Sequence, residues 1–301
     1  MENFLQQLLN GLSLGGIYAL IALGYTMVYG VLKLINFAHG DLFTIGSYIG
    51  FTLLVSFGLA NVAGPIGALI AICAVVMLSV AFLGVCLERA AYRPLRHSPR
   101  LSAVVSALGA SIFLQNAVML IYGAKFHVYP QGLIARSSLS LFGLYLPLVK
   151  VFVLLVSLLV MALLYIFIQK TLTGAAIRAV AIDHRAAQLV GINVDRVVTL
   201  VFLIGPALGG LAGLMVGLLY GQITFTMGWL YGLKAFTAAI LGGIGNIPGA
   251  MLGGIILGII ESMSSAYLSV AWKDAVTFFV LILILTVRPT GILGERVAEK
   301  V

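Results

Sequence analysis

Glu261 sits inside an apolar run, 250–267, where an ionised carboxylate is costly and ordinarily faces protein or water rather than lipid. Two readings of it are open. One is an ion pair with Lys234, which opens the preceding run, or with a backbone donor; the other is a direct place on a transport pathway. Polar residues also interrupt apolar sequence at Asn36-Phe37-Ala38-His39-Gly40-Asp41, and helix breakers do so at Gly242-Gly243-Ile244-Gly245-Asn246-Ile247-Pro248-Gly249. His39 reads as a hydrogen-bonding loop residue rather than a proton relay. Interrupted helices leave N–H and C=O groups that lipid cannot satisfy, so they are tolerated only against protein or a water-filled cavity. Similar breaks in two halves of a chain point to the internal repeats of a transporter; two ordinary loops are the equal alternative. Asn36, His39, Gly40, Asp41, Gly243, Gly245, Asn246 and Glu261 are therefore the candidate lining of a translocation pathway. No nucleophile–base pairing is visible, and there is no Gly-x-x-x-x-Gly-Lys-Ser/Thr to cradle a phosphate. Cys73 and Cys86 share one apolar run without metal-type spacing and read as small buried hydrophobes. The expectation is a chain that is not an enzyme and binds no cofactor or metal itself.

The elements that position these residues follow from composition. Of 301 residues, 62% are hydrophobic and 9% charged, with a mean hydropathy of +1.16, whereas soluble domains are roughly half apolar and about a quarter charged. Lipid must therefore replace water as the outer solvent. Runs long enough to span, at about 20 residues each, occur near 8–32, 42–59, 62–88, 101–122, 148–168, 198–220 and 275–288. The stretch 234–267 has room for two passes around its glycine-rich break. The fold class is an all-α polytopic membrane protein, a single transmembrane domain over 1–301, with about eight or nine crossings and broken or re-entrant segments. No cleavable signal peptide is recognisable after Met1-Glu2-Asn3, so the first span is expected to direct its own insertion.

The net charge of +8 reads as a topology signal rather than an affinity for nucleic acid. Arg89, Arg93, Arg96 and Arg100 occupy one inter-span loop; Lys170, Arg178, Arg185 and Arg196 the segment 169–197; and Arg288, Arg296 and Lys300 the tail. The alternate loops hold only Lys125, Arg136 and Lys273, while Tyr122, Tyr129, Tyr145, Tyr220, Trp229, Tyr231, Tyr267 and Trp272 fall near the opposite face. Basic loops stay cytoplasmic and aromatic belts mark the interfaces, which places the N-terminus outside and the C-terminus inside. Gly205, Gly209, Gly210, Gly213 and Gly217, and again Gly249, Gly253, Gly254 and Gly258, recur at helical spacing. Such faces let helices approach closely in lipid, either as fixed packing or as surfaces that slide.

Segment 169–197 is too long for a turn and reads as helical. Ile177, Val180 and Ala181 share one side, Arg178 and Arg185 another, and Gly191 supplies a sharp end; this suits docking on a soluble partner, although a helix lying on the membrane surface would look alike. Its Ala186-Ala187-x-x-x-Gly191 spacing resembles the coupling motif of ABC importer permeases. Arg185 stands where Glu is usual, and the later Ile-x-Leu-Pro ending is absent.

Several stretches together resemble the LivH-type permease family of branched-chain amino acid ABC importers: Asn10 to Leu20, Gly24 to Gly30, Ile35 to Asp41, Glu88 to Arg96, Ser111 to Asn116, Leu189 to Val197, Lys234 to Leu241 leading into the glycines, and Arg288 to Gly294. The likeness runs nearly end to end and is weakest across 123–147. It implies a permease fold of the branched-chain amino acid/ribose type in a bacterial inner membrane. A periplasmic binding protein would deliver leucine, isoleucine or valine, a second, LivM-like permease would pair with this chain, and two cytoplasmic ATP-binding subunits holding ATP and Mg would drive it. By the same resemblance, Arg178, Asp183, Arg185, Ala186, Ala187 and Gly191 are the candidate contact to the ATP-binding subunit. A near rival keeps the architecture but carries urea or short amides. A rival of another class is a secondary transporter or channel driven by an ion gradient, which the scarcity of intramembrane acids disfavours.

Overall fold

The computed structural model describes residues 2–55, 65–96, 98–129, 138–141 and 144–294. Arg136, Arg296 and Lys300, and the side chains of Arg100 and Tyr145, lie outside the described set. In chain order the described elements are α1 (Glu2–Leu32), α2 (His39–Val55), α3 (Pro65–Leu87), α4 (Arg100–Tyr122), β1 (His127–Val128), β2 (Ser138–Leu141), β3 (Leu144–Pro147), α5 (Leu148–Lys170), α6 (Leu172–Ile182), α7 (His184–Leu189), α8 (Val194–Tyr220), β4 (Gln222–Ile223), α9 (Met227–Gly242), α10 (Ile247–Tyr267) and α11 (Lys273–Val287). α3 runs on through a π-helical turn, Glu88–Tyr92, and a 3₁₀ turn, Arg93–Leu95. The strands form two small antiparallel pairs, β1 with β4 and β2 with β3.

Among the described residues, six helical stretches are long and apolar enough to cross a membrane: those within α1, α3 with its extension, α4, α5, α8 and α10. The helices α2, α9 and α11, of 17, 16 and 15 residues, are shorter. The stretch 234–267 resolves into an antiparallel hairpin, since Gly242 lies against Gly249 and Gly253 against Ala238. With α9 and α10 as separate helices, nine apolar helices alternate in direction among the described residues. One end of the bundle gathers Arg89, Arg93, Arg96, α6, α7 and the start of α8; this is the basic end. The opposite, aromatic end carries Tyr122, Tyr220, Tyr267 and Trp272.

The centre of the bundle is α1, almost wholly enclosed from Gly11 to Val31. It packs against α10, α8, α9 and α5. Glycine makes this possible. The Cα of Ile259 lies 2.7 Å from where a side chain on Gly11 would begin, Ile255 stands equally close to Gly15, and Gly254 and Gly258 meet the backbone of Ala19 and Gly15. Helices in lipid gain little from hiding apolar groups, so backbone proximity and dispersion supply the attraction. α8 is the second pillar. Gly46 and Gly50 of α2 face Gly210 and Leu214, so α2 and α8 run parallel. Pro206 lies inside α8 and, lacking an N–H, cannot satisfy the Phe202 carbonyl one turn back. Gly84 of α3 packs against that carbonyl and the Pro206 ring. The glycine faces read from the sequence are thus packing faces. Gly254→Leu should drive α1 and α10 apart and cost about 3 kcal/mol or more, seen as a collapse of the detergent-solubilised melting temperature. Gly109→Leu, where nothing stands within 4 Å, should leave the isolated chain's melting unchanged.

The periphery differs. α4 and α5 keep most of their surface outside the chain, with Ile112, Phe113, Leu120, Leu155, Leu159 and Ile166 exposed. Both cysteines are expected to be buried; Cys73 is half-buried and Cys86 is exposed. It lies on the side of α3 turned away from α8, so apolar character did not enclose it within the chain.

Candidate functional site

The first break is a re-entry into the bundle. After α1 ends the chain turns back, and α2 begins with His39 pressed between Gly24 of α1 and Gly209 of α8. Asn36 builds the turn: its Oδ1 accepts from the Ala38 amide at 3.1 Å and from the Tyr92 hydroxyl at 2.7 Å, and its carbonyl accepts from the His39 amide at 3.1 Å. This is an Asx turn tied to the π-helical turn after α3. His39 opens α2 rather than lying in a loop as expected; it is fully buried and stands edge-on to Tyr25, ring centroids 4.7 Å apart. Gly40 meets Gly228 and Gly232 of α9 without side chains between them. Asp41, in the first turn of α2 where the helix dipole favours an anion, accepts from Ser111 of α4 at 2.5 Å. Between α2, α4 and α9 lies a recess of about 30 Å³, lined by Tyr25, Asp41, Ser111, Trp229, Leu233 and Phe236 among others. That is room for a water molecule. The face beside it carries exposed Ile112, Phe113 and Asn116 on α4 and Trp229 and Leu230 on α9.

The second break is a closed turn at the basic end. Gly243 and Gly245 take φ of +105° and +95°, which only glycine adopts without cost. Asn246 caps α10 through the Gly249 amide at 3.0 Å, and its Nδ2 donates to the Leu293 carbonyl at 2.9 Å. The amides of Ile292 and Leu293 donate to the Leu241 and Gly242 carbonyls at 2.9 and 3.0 Å. The tail after α11 therefore satisfies the end of α9. The two breaks do not line one cavity: Gly245 lies beside Gly30 and His39 beside Gly24, about 9 Å apart along α1 at 1.5 Å per residue.

Glu261 is paired. Its Oε1 lies 2.7 Å from Lys234 Nζ and 3.7 Å from Lys273 Nζ, and its Oε2 accepts from the Tyr18 hydroxyl at 2.7 Å. Lys234 also reaches Asp274 at 2.6 Å. Lys234 and Glu261 are only 2% and 4% exposed. Of the two open readings, the geometry places Glu261 in a pair that joins α1, α9, α10 and α11.

The basic segment forms two helices rather than one. Thr171 caps α6 through the Gly174 amide, and Asp183 caps α7 through the amides of Arg185 and Ala186 at 2.8 and 3.1 Å. Ile177 and Val180 are buried, and Ala181 is half-buried beside them. Ala187 packs inward while Arg185 and Ala186 face out. Arg178 turns back onto the Ile168 carbonyl at the end of α5, where a cation suits the helix dipole; it serves the fold rather than the outer face. Gly191 ends α7 with φ +85°. His184 bonds the Val31 carbonyl at 2.7 Å, which ties α7 to the end of α1.

Sequence reasoning missed what lies outermost here. Ile182, Leu189 and Val190 are 87%, 88% and 75% exposed at the basic end of the bundle, beyond the apolar helices. Their positions around the caps Asp183 and Gly191 held the signal. Missed as well was the ion network of Arg96 with Glu88 and Asp195, which connects the turn after α3 to the start of α8. Among the described residues, no group of three His, Cys, Asp or Glu could hold a metal.

Residues 7–285 match a family model described as the permease component of branched-chain amino acid transport systems. Curated relatives include the high-affinity branched-chain amino acid permease LivH of Escherichia coli K12 and that of Salmonella typhimurium, each 47% identical over 99% of this chain and 98% of the relative. The corresponding permease BraD of Pseudomonas aeruginosa is 47% identical at the same coverage. Among solved structures, one described as a metal-chelate type ABC transporter in an inward-facing conformation superposes with a TM-score of 0.51 over 94% of this chain and 84% of its own, at 17% identity. That likeness extends to the fold alone.

Proposed function

Since the chain belongs to the branched-chain amino acid transport permease family, we propose that it is the membrane-embedded permease of an ATP-binding cassette importer carrying leucine, isoleucine or valine inward. The observation that carries this reading is identity of 47% with LivH relatives across nearly the whole of both chains. Two cytoplasmic ATP-binding subunits, holding ATP and Mg, would dock on the α6–α7 surface, where Ile182, Leu189 and Val190 stand bare. A periplasmic binding protein would deliver cargo at the aromatic end. The basic end is then cytoplasmic, with the N-terminus periplasmic and the C-terminus inside, as the arginine distribution supports. No cofactor is assigned to this chain.

A second, LivM-like permease is assigned to the face of α4 and α9. Asn116 is exposed on α4 beside Ile112 and Phe113, its amide turned back to Ile112 O at 2.7 Å. A polar group at that depth is costly against lipid and suits a protein seam or a wet pathway. The recess beside Asp41 and Ser111 opens on this same face. Cargo would pass there when the two permeases rock apart, with the first break rather than the second meeting the zwitterion.

Reconstituted with its partners, the complex should take up leucine only with binding protein outside and ATP at the α6–α7 side. Uptake that survives ATP depletion and collapses with the ion gradient would overturn the reading in favour of a secondary transporter.

A further inference from the structure

At the basic end, outside the coupling surface and the α4–α9 face, an open groove of about 450 Å³ lies between the turns after α3 and the start of α8. Arg89, Arg93 and Arg196 stand around it, with Leu200 and Leu203 below them. The groove's charge is not balanced from within. Three arginines of the lining, Arg89, Arg93 and Arg196, face one carboxylate, Asp195, which Arg96 ties to Glu88. Arg93 reaches only Asp195, at 3.6 Å. Among the described residues no carboxylate lies within ion-pair distance of Arg89 or Arg196. Arg196 sits in the first turn of α8, where the helix dipole opposes a cation.

The surroundings identify the ligand. Below the arginines, toward the bundle centre, α8 presents Leu200 and Leu203 to the groove, Leu203 being 42% exposed. Leu200 and Leu203 follow one another at helical spacing, so an apolar floor on α8 lies beneath a basic rim. An amphiphile with an anionic head and aliphatic tail matches that order. We propose that this groove binds the phosphate-bearing headgroup of an anionic phospholipid, with the acyl chains lying along α8 over Leu200 and Leu203. Arginine is suited to the role because its planar fork takes phosphate oxygens in pairs, and basic pockets between spans at the cytoplasmic side are where such headgroups bind. Through Asp195 and Arg96, a bound lipid would brace the start of α8, the helix that follows α7.

The test uses the full transporter complex in nanodiscs of phosphatidylethanolamine, alone or with phosphatidylglycerol, and reads retained lipid by native mass spectrometry. The expected result is selective retention of phosphatidylglycerol. Each of Arg89→Gln, Arg93→Gln and Arg196→Gln should weaken it roughly fivefold, from about 1 kcal/mol per basic residue at an anionic surface. The triple Arg→Lys variant should keep part of the preference, which guards against misfolding as the cause, and Lys170→Gln, an exposed cation at the same end, should keep all of it. Equal loss in Lys170→Gln would reduce the effect to bulk surface charge and overturn the proposal. Displacement of lipid by millimolar inorganic phosphate would make the groove a site for a free anion. Unchanged lipid retention with loss of the ATP-binding subunits from the triple Gln variant would make it a protein contact. The last two outcomes overturn the proposal as well.

Discussion

Glu261→Leu should destabilise the chain by about 3–5 kcal/mol, toward the lower figure because Asp274 remains 2.6 Å from Lys234. The substitution removes the carboxylate that Lys234 meets at 2.7 Å and that the Tyr18 hydroxyl meets at the same distance. Lys234 would keep its charge in a setting only 2% exposed, with one partner instead of two, and Tyr18 would lose its acceptor. The main cost lies in the orphaned groups rather than in any net worth of the pair. Removing both ends should therefore cost less than removing one. Lys234→Met with Glu261→Leu should recover most of the lost melting temperature, and adding Tyr18→Phe should recover more. Non-additivity of 0.5–3 kcal/mol is the range for residues in one such network. The same variants separate a structural pair from a pathway acid. If the double variant folds and transports, Glu261 is a brace between α1, α9 and α10. If it folds with native stability but transports nothing, the carboxylate belongs to the pathway and the packing account fails.

The brace shows how far sequence alone could go. That Glu261 needed a partner followed from its burial in an apolar run, and Lys234 was the nearest cation able to supply one. Tyr18 and Asp274 could not be foreseen, because they arrive from α1 and α11 through the crossing of helices far apart in sequence. The apolar runs mark the helices closely, because a bilayer imposes one length and one composition on every span. Where runs merge, as at 234–267, the glycines gave the break, and the positive φ at Gly243 and Gly245 turned it into a hairpin. The likeness between the two breaks does not extend to their depth. Each is an Asn followed by glycine, yet Asn36 folds a re-entrant turn deep in the bundle while Asn246 caps a helix at its edge. Composition records the turn chemistry but not the depth, which depends on what else packs there. For Asn246 that is the chain's own tail, nearly fifty residues on. Arg178 misled for a similar reason. Helical spacing put it beside Arg185, but the carbonyls at the end of α5 claimed it first.

The outer surface of α6 and α7 carries the largest functional prediction. Leu189→Glu with Val190→Glu should reduce ATP-driven uptake to background while leaving the fold intact. Both side chains are at least three-quarters exposed, and substitutions at such positions cost little stability on their own. At an interface, however, a buried apolar anchor is worth about 2 kcal/mol or more, roughly thirtyfold in affinity, and a carboxylate in its place adds a desolvation penalty. Two such changes should release the ATP-binding subunits altogether, visible as their loss on co-purification with unchanged melting of this chain. Gly191→Val tests the geometry rather than the contact. A β-branched residue at φ +85° is strained by roughly 1–2 kcal/mol, enough to re-aim α7 against α8 without unfolding the bundle. The subunits should then still bind, but their ATP turnover should no longer respond to cargo. Arg185→Glu belongs with the first class, since its side chain faces out and pairs with nothing in the chain among the described residues. Normal uptake by the Leu189/Val190 variant would place the driving contact elsewhere, for no rocking of α1 or α8 could then be traced to this surface.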